Sequence, residues 1–145
     1  MTPADASDNA LDLCLHLARA EAALSRRFDH RLGSLHGLSF GDFTILLSLG
    51  RSSEGRLRRV ELAAKLGLTA SGVTRSLIPL EKIGLVTRQS DVRDARVGYA
   101  VLTPAGQELL GHAMISAGLI ADEAMQDLSP ADLSLLSVML ERLSA

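Results

Sequence analysis

Hydrophobic positions along this chain repeat mainly at intervals of three and four residues, which is the period of an α-helix. The first such stretch covers residues 8–36, and Ser7 or Asp8 is expected to cap it. Further helices are predicted over residues 40–50, 60–66, 70–83, 103–127 and 129–144. Four of these begin with a residue whose hydroxyl suits the helix N-cap: Ser39, Thr69, Thr103 or Ser129.

The period changes to that of β-strands at residues 85–89 and 97–102. A charged loop, residues 90–96, separates these segments, so together they predict a β-hairpin. The tight turn at residues 67–69 joins two short helices, so the order of elements is that of a helix-turn-helix followed by a wing. The predicted fold is therefore mainly α with a small β-hairpin wing (α+β), in which a winged helix-turn-helix core is flanked by long helices.

Two elements of such a fold carry side chains that suit DNA. Small and polar residues at the start of the second helix of the motif allow its N-terminus to approach base edges and phosphates in the major groove. Arginines on the hairpin suit the minor groove, which a narrow loop can enter. The candidate DNA-contacting residues are Thr69, Ser71, Gly72, Thr74 and Arg75 on the helix, and Arg88, Arg93 and Arg96 on the wing. The alternative is an ordinary helical hairpin with a polar outer face and a solvated charged turn.

Charge is distributed unevenly along the 145 residues. The whole chain carries 15 Lys and Arg residues against 17 Asp and Glu residues, a formal net charge of −2 that by itself argues against a polyanionic partner. Residues 51–99, however, hold 10 basic and 5 acidic residues and carry +5, whereas residues 1–50 carry −2 and residues 100–145 carry −5. A basic middle between acidic flanks indicates that one module binds nucleic acid.

Composition and motif content argue against several other classes of protein. The 47% of hydrophobic residues is typical of a folded chain, and the single cysteine, Cys14, excludes an intrachain disulfide and a Cys-cluster metal site. No apolar run reaches the roughly 18 residues that span a membrane, and no signal-peptide pattern is present, so we expect a cytoplasmic protein without a membrane partner. No catalytic constellation, phosphate-binding loop or metal-ligand spacing is found, so no enzyme activity, cofactor or metal is expected.

The residues in and around the motif resemble the MarR family of bacterial transcriptional regulators over nearly the whole chain. The matching segments are Glu61-Leu62-Ala63, Leu66-Gly67-Leu68-Thr69, Leu80-Glu81-Lys82-Ile83-Gly84-Leu85-Val86, Asp91-Val92-Arg93-Asp94-Ala95-Arg96 and Leu102-Thr103-Pro104-Ala105-Gly106. The resemblance implies that Asp94 and Arg96 brace the wing and present an arginine to the minor groove. It also places Ser71, Thr74 and Arg75 on the recognition helix.

One position departs from the family pattern. Pro79 lies inside the predicted recognition helix, where the family commonly carries a polar or charged residue. Proline removes one helical N–H and clashes with the carbonyl of Arg75, which costs roughly 3 kcal/mol if unrelieved. We therefore expect a kink after the reading turns, which leaves residues 70–76 able to enter the groove.

The flanking helices predict a homodimer. A winged-helix core of roughly 60 residues cannot cover the apolar stripes of three further helices, and exposed stripes usually mark an interface. A two-fold dimer places two reading helices about one DNA turn apart, roughly 34 Å. We expect one domain, 1–145, with a helical dimerisation region at 1–37 and 103–145 and a winged helix-turn-helix DNA-binding region at 39–102. Packing of these helices within one chain is the alternative.

The predicted function is sequence-specific regulation of transcription by a dimeric repressor that a small-molecule effector releases from a pseudo-palindromic operator. In the family that the chain resembles, effectors often occupy the crevice between the dimer helices and the DNA-binding lobe. The corresponding guesses for an effector pocket are Leu13, Leu17, Phe43 and Leu47, which suit a plain hydrophobic core equally well.

Cys14 leaves two alternatives open. Its position is similar to that of the reactive cysteine in the organic-peroxide-sensing branch of the family, which would make the chain a thiol-based repressor. Leu15 and Leu17 stand where that branch tends to have Phe and Tyr, and Asp12 opposes ionisation of the thiol, so a buried cysteine that acts as a small hydrophobic residue is the commoner outcome. Two further rivals are a winged-helix protein–protein interaction module that does not bind DNA and a metal-responsive regulator.

Overall fold

The computed structural model describes residues 2–145, and its elements follow the predicted order. The α-helices are α1 (Pro3–His36), α2 (Phe40–Gly50), α3 (Arg59–Leu66), α4 (Ala70–Lys82), α5 (Pro104–Ala124) and α6 (Pro130–Ser144). The strands are β1 (Arg56–Arg58), β2 (Val86–Ser90) and β3 (Gly98–Leu102), and a short 3₁₀ turn, Ser53–Gly55, precedes β1. The predicted fold class, mainly helical with a small antiparallel wing, is confirmed.

Side-chain caps begin four helices where the sequence predicts them. At α2, the Asp42 N–H donates to Ser39 Oγ at 3.0 Å, and the Ser39 N–H donates to Asp42 Oδ2 at 3.0 Å. The side chains of Thr69, Thr103 and Ser129 accept the corresponding backbone hydrogen bonds at α4, α5 and α6. Each cap satisfies an N–H group that has no partner inside its own helix, which fixes the point at which the helix starts.

Helix α1 begins at Pro3, so the predicted start at Ser7 or Asp8 is wrong. In its first turn, the Ala6 N–H donates to the carbonyl oxygen of Thr2 at 3.2 Å. A hydroxyl residue followed by proline is the same signal that starts α5 and α6. The prediction failed because it followed the apolar stripe, which begins only after these small and polar residues.

The sheet has three strands, whereas the sequence predicted a two-stranded hairpin. The strand order is β1-β3-β2 with both pairs antiparallel, so β3 is central. In β1, buried Leu57 lies between Arg56 and Arg58. Three residues are too few to show the alternation that identifies a strand, which is why β1 was not predicted.

One hydrophobic core joins the winged lobe, defined here as residues 39–102, to α1 and α5. The largest fully buried side chains include Leu46 and Leu49 of α2, Leu62 of α3, Val73 and Leu80 of α4, Leu32 of α1 and Ile120 of α5. The rings of Phe28 and Phe40 stack at 4.4 Å between centroids and so connect α1 to α2. Burial of these side chains holds the lobe on the two long helices.

The scaffold helices, defined as α1, α5 and α6, leave much apolar surface uncovered in the single chain. Among the described residues of α6, 130–144, none is buried. Its apolar side chains are between 38% and 64% exposed: Leu133, Leu135, Leu136, Val138, Met139, Leu140 and Leu143. On the N-terminal half of α1, Leu11, Leu13 and Leu15 are 51–59% exposed. The stripes that the sequence predicts are present. The stripe of α5 is buried within one chain, whereas those of α6 and of the N-terminal half of α1 are largely without a partner.

Within residues 2–145, no single helix has the length and hydropathy to cross a membrane. The segments Asp8–His36 and Phe40–Gly50 meet both requirements only when taken together, and the chain bends by 77° between them.

Candidate nucleic-acid interface

Helix α4 is held by a buried face and leaves its first turns exposed. Val73, Leu77 and Leu80 are at most 3% exposed and pack into the core. Gly67, at φ +65°, ends α3 in the left-handed conformation that favours glycine, and two residues later Thr69 caps α4. This tight turn fixes α4 against α3, so the orientation of its first turns is set by the core.

The five predicted DNA contacts on α4 fall into two groups. Thr69, Ser71 and Arg75 are exposed, whereas Gly72 and Thr74 are half-buried. The Gly72 N–H donates to Thr69 Oγ1 at 3.0 Å, and a Cβ at position 72 would lie only 3.1 Å from that oxygen. The Thr74 hydroxyl donates to the carbonyl oxygen of Ala70 at 3.1 Å. Thr69 and Thr74 thus already have intramolecular partners, and the DNA contacts themselves stay a prediction.

Pro79 does not end the recognition helix. Helix α4 continues as one element from Ala70 to Lys82, and beyond Pro79 the Ile83 N–H donates to the Pro79 carbonyl oxygen at 3.3 Å. The kink at this position therefore stays a prediction. Pro79 lies one turn beyond Arg75, so it leaves the exposed first turns intact.

The loop of the wing is organised by Asp91. Its Oδ1 accepts the N–H of Arg93 at 2.7 Å and the N–H of Asp94 at 3.2 Å, and its Oδ2 accepts the Tyr99 hydroxyl at 3.0 Å. These bonds favour the charged carboxylate, so the hydrogen bond from Arg93, followed by that from Tyr99, lowers the pKa of Asp91. Asp91 belongs to a segment that resembles the family, but neither its role nor that of Tyr99 was predicted, although the turn-forming preference of aspartate offered a signal.

Asp94 and Arg96 form a paired unit at the far side of the same loop. Arg96 Nε lies 3.1 Å from Asp94 Oδ1, a second guanidinium nitrogen donates to Oδ2 at 3.3 Å, and the Arg96 N–H donates to Oδ1 at 3.0 Å. The side-chain hydrogen bond from Arg96 is the main cause that lowers the pKa of Asp94. The Arg96 side chain is nevertheless 91% exposed. The geometry agrees with a bracing role, while contact of Arg96 with DNA stays a prediction.

Arg88 connects the wing to α4. Its Nε donates to Glu81 Oε1 at 2.9 Å, which raises the pKa of the guanidinium. Glu81 lies near the end of α4, so this ion pair joins the two elements predicted to contact DNA. Sequence reasoning placed Arg88 among the wing contacts but did not identify its partner.

The outer face of the sheet carries a second group that the sequence analysis missed. Arg56 contacts Glu54 at 3.0 Å, donates to Gln89 Oε1 at 2.8 Å, and places its guanidinium carbon 4.3 Å from the centroid of the Tyr99 ring. The guanidinium of Arg58 is within hydrogen-bonding reach of the Tyr99 hydroxyl. This interaction is the main cause that raises the pKa of Arg58. Tyr99 therefore links β1 to Asp91 in the wing loop.

The basic side chains of the lobe thus differ in their partners. Among residues 2–145, carboxylates lie within 4.0 Å of Arg56, Arg58, Arg88 and Arg96. The other six basic side chains of the lobe have no such carboxylate among the described residues and are all exposed: Arg51, Arg59, Lys65, Arg75, Lys82 and Arg93. The positive charge of these side chains is therefore the most available to an anionic partner.

The four residues guessed for an effector pocket differ in burial, and none of them lines either of the two cavities described here. Phe43 is buried, Leu17 and Leu47 are half-buried, and Leu13 is 54% exposed. Two cavities of the described chain are lined by other residues. The smaller, about 30 Å³, lies between α4 and the sheet, and the larger, about 260 Å³, lies between the start of α2, the end of α3 and α4. The effector pocket stays a prediction.

Cys14 is exposed on the N-terminal half of α1, so the expectation of a thiol buried within the chain is wrong. The expectation followed the general preference of free cysteines for burial, and within the single chain Cys14 is an exception to it. Among the described residues, no group of three or more His, Cys, Asp or Glu side chains is arranged to hold a metal ion.

Comparison with known proteins extends over both the winged lobe and the scaffold helices. The sequence model of the MarR family matches residues 38–97. The uncharacterised HTH-type transcriptional regulator YkoM of Bacillus subtilis is 29% identical over 135 residues, 93% of this chain and 86% of that protein. The solved structure of Sco3205, a MarR family transcriptional regulator from Streptomyces coelicolor in complex with DNA, is similar with a TM-score of 0.86 and 26% identity over 95% of this chain and 86% of that one. The transcriptional regulator BldR from Sulfolobus solfataricus is similar with a TM-score of 0.85 and 29% identity over 99% of both chains.

Proposed function

Because the chain belongs to the MarR family of transcriptional regulators, we propose that it binds double-stranded DNA as a homodimer and represses transcription from a pseudo-palindromic operator. Members of this family are regulators of transcription, not enzymes. One observation carries the proposal. The exposed first turns of α4 and the loop of the wing both belong to the +5 segment 51–99, and each carries an arginine that no described carboxylate neutralises, Arg75 or Arg93.

In this proposal α4 reads the major groove and the wing enters the neighbouring minor groove. The capped N-terminus of α4 directs Ser71 and Arg75 toward base edges and phosphates, because the core fixes its opposite face. On the wing, the hydrogen bonds to Asp91 and Asp94 order the loop before binding, so little conformational entropy is lost when Arg93 and Arg96 meet the DNA. The similarity to Sco3205, whose structure is a DNA complex, supports this arrangement.

The dimer brings together the apolar surfaces that a single chain leaves uncovered. The stripe of α6 and the N-terminal half of α1 together expose far more aliphatic surface than a soluble monomer usually shows. Residues 100–145, which include α5 and α6, carry −5, so the scaffold is repelled by DNA while residues 51–99 are attracted to it. Two copies therefore present two basic lobes joined by an acidic scaffold. The division into a dimerisation region, 1–37 and 103–145, and a DNA-binding region, 39–102, is part of the proposal.

Release from DNA is a two-state change in the separation of the two lobes. A small molecule shifts this equilibrium only if it binds one separation better than the other. The lobe is connected to the scaffold by the core between α1, α2 and α5, so a ligand at that junction acts on the separation directly. As a regulator of transcription in a bacterium, the protein works in the cytoplasm, where the chromosome lies.

The rival functions have less support. YkoM, Sco3205 and BldR are each described as transcriptional regulators, and none as a peroxide sensor or a protein–protein module. Cys14 is exposed, as a reactive thiol must be. Its surroundings differ from those of a reactive thiol, however, because Asp12 lies nearby and positions 15 and 17 carry no aromatic residue.

Binding to the DNA upstream of the protein's own gene, measured at two salt concentrations, tests the proposal. A dimer that makes about six phosphate contacts loses about a thousandfold in affinity between about 50 and 200 mM salt. The variant Arg75→Gln is expected to weaken binding to this DNA, whereas Arg27→Gln, an exposed arginine of α1, is the matched control. Affinity that is absent, or that does not change with salt, would favour a protein–protein module instead.

A further inference from the structure

Arg59 lies between the two elements that the proposed function places on DNA. It is the first residue of α3, and its guanidinium nitrogen donates to Thr74 Oγ1 of α4 at 3.3 Å. Another guanidinium nitrogen of Arg59 lies 3.8 Å from the point that a Cβ on Gly98 would occupy, where β3 begins after the loop of the wing. The side chain thus spans the cleft between the recognition helix and the wing.

The charge of Arg59 is not neutralised by a carboxylate of the described residues. Its recorded hydrogen-bond partner, Thr74, is neutral, and the acid groups nearby are engaged elsewhere in the described chain. Glu81, which lines the same cleft, contacts Arg88 at 2.9 Å, and Glu61 contacts Arg58 at 3.7 Å. Arg59 itself is exposed. An uncompensated cation therefore faces outward from the cleft.

The cleft beside Arg59 is narrow. Its cavity measures about 30 Å³, which is room for a few water molecules. Arg59 is exposed, so its guanidinium can meet a larger partner that lies across the opening.

The geometry of B-DNA supplies such a partner. A helix in the major groove and a hairpin in the neighbouring minor groove are separated by one sugar–phosphate strand, which must cross the cleft between them. We propose that Arg59 binds a phosphodiester of this strand. Arginine suits that role because its planar guanidinium binds two phosphate oxygens at once. In this inference, which rests on the proposed function, Thr74 positions Arg59 through its hydroxyl and does not read a base.

A phosphate contact gives a specific signature in the salt dependence of binding. Each phosphate neutralised contributes about 0.9 to the slope of log K against log salt, so a dimer of Arg59→Gln is expected to lose about two from that slope. Arg59→Lys keeps the charge and should keep most of the slope. Affinity for specific and for non-specific DNA should fall by the same factor in Arg59→Gln, because a backbone contact carries no sequence information. Arg27→Gln is the control, and thermal unfolding verifies that each variant is folded.

Neutral methylphosphonate linkages placed singly along the DNA locate the contact. The wild-type protein should lose affinity at one linkage per half-site, between the segments bound by α4 and by the wing, and Arg59→Gln should be insensitive at that linkage alone. An unchanged salt slope with an unchanged methylphosphonate pattern would overturn the inference while leaving the proposed function intact. A loss of affinity without a change in slope would mean that Arg59 acts only through the structure of α4, which also overturns it. Salt-independent or absent binding by the wild type would overturn the proposed function itself.

Discussion

The winged lobe and the scaffold helices differ in how completely their apolar side chains are buried within a single chain. In the lobe, the apolar faces of α2, α3 and α4 are buried, with Leu46, Leu49 and Leu62 at 0% exposure. In the scaffold, α6 buries none of its described residues, and Leu143 is 64% exposed. The core of the lobe is therefore complete within one chain, whereas in the proposed dimer a second copy covers the exposed apolar side chains of the scaffold.

The same two regions differ in charge, which explains why the net charge of −2 is a poor guide to function. The segment 51–99 carries +5 and the segment 100–145 carries −5. A polyanion responds to the local charge within about a Debye length, roughly 8–10 Å, and not to the sum over the chain. In the proposed function, the lobe therefore attracts DNA and the scaffold joins two copies of the chain. Substitutions can test each of these roles separately.

The largest effect is expected from breaking the scaffold. Leu140→Asp places a charge in the apolar stripe of α6, so the dimer should dissociate. Because one half-site is then bound without the other, affinity for the operator should fall on the order of a hundredfold or more. Sedimentation equilibrium measures the association and a titration measures the affinity. Ser134→Asp, at an exposed polar position of the same helix, is the control. A monomeric variant with wild-type affinity would contradict the assigned role of the scaffold.

The next largest effect is expected where α5 packs against the lobe. At Gly106, in the first turn of α5, a Cβ would lie 2.2 Å from the carbonyl oxygen of Leu85 and 2.7 Å from Leu102 Cδ1. Gly106→Ala should therefore lower the free energy of unfolding by about 1–3 kcal/mol.

Gly111→Ala is the matched control in the same helix, since a Cβ there meets no atom within 4 Å. Alanine is favoured over glycine in a helix interior, so this variant should be neutral or more stable by up to about 1 kcal/mol. Urea unfolding at one fixed protein concentration measures both. Equal effects in the two variants would show that the close approach of α5 to the sheet has no energetic weight.

The wing is expected to show a smaller effect, confined to DNA binding. Asp91→Asn removes the charge that holds the N–H groups of Arg93 and Asp94 and the Tyr99 hydroxyl, so the loop becomes less ordered before binding. A loss of affinity of about tenfold is expected, with little change in thermal unfolding. Asp122→Asn, on the exposed surface of α5, is the control. A variant that unfolds at a much lower temperature would mean that Asp91 supports the lobe as a whole.

The smallest effect concerns pH. The pKa values of Asp91 and Asp94 are both lowered by hydrogen bonds, so these groups stabilise the ordered wing above the unfolded-state pKa. That contribution is lost as the pH falls through the lower, folded-state pKa. Wing order should therefore be constant between about pH 5 and 8 and decrease only below about pH 4. Amide resonances of Arg93 and Arg96 in a pH titration check this, and a midpoint between pH 5 and 7 would contradict the assigned hydrogen bonds.

Much of the lobe could be predicted from the sequence because its signals are local. The capping residues Ser39 and Thr69 and the turn glycine Gly67 each act within a few residues of themselves. Some partners of the charged side chains are equally local, as in the Asp94–Arg96 pair, but others are not. Gln89 is 33 residues from Arg56, and the Glu81–Arg88 pair joins a helix to a strand. Their contacts depend on packing that a single sequence does not display.

For the scaffold, the apolar faces could be predicted from the sequence, but the burial of individual residues could not. The periodicity of α1 and α6 predicted apolar stripes but not the exposure of single residues beside them. Cys14 was expected to be buried, as free cysteines commonly are, although it is exposed in the single chain. A periodic pattern shows which face is apolar, while the partner of that face depends on the assembled molecule.

In the proposed dimer, two basic lobes are held on one scaffold so that they read one DNA site together. A chemical footprint of the DNA upstream of the protein's own gene, combined with the mass of the complex, tests this arrangement. Two protected major-groove segments about 10 base pairs apart from centre to centre, or a whole multiple of that spacing, bound by two copies of the chain, is the predicted result. Protection of a single segment by one copy, or no protection at salt concentrations that favour binding, would contradict it.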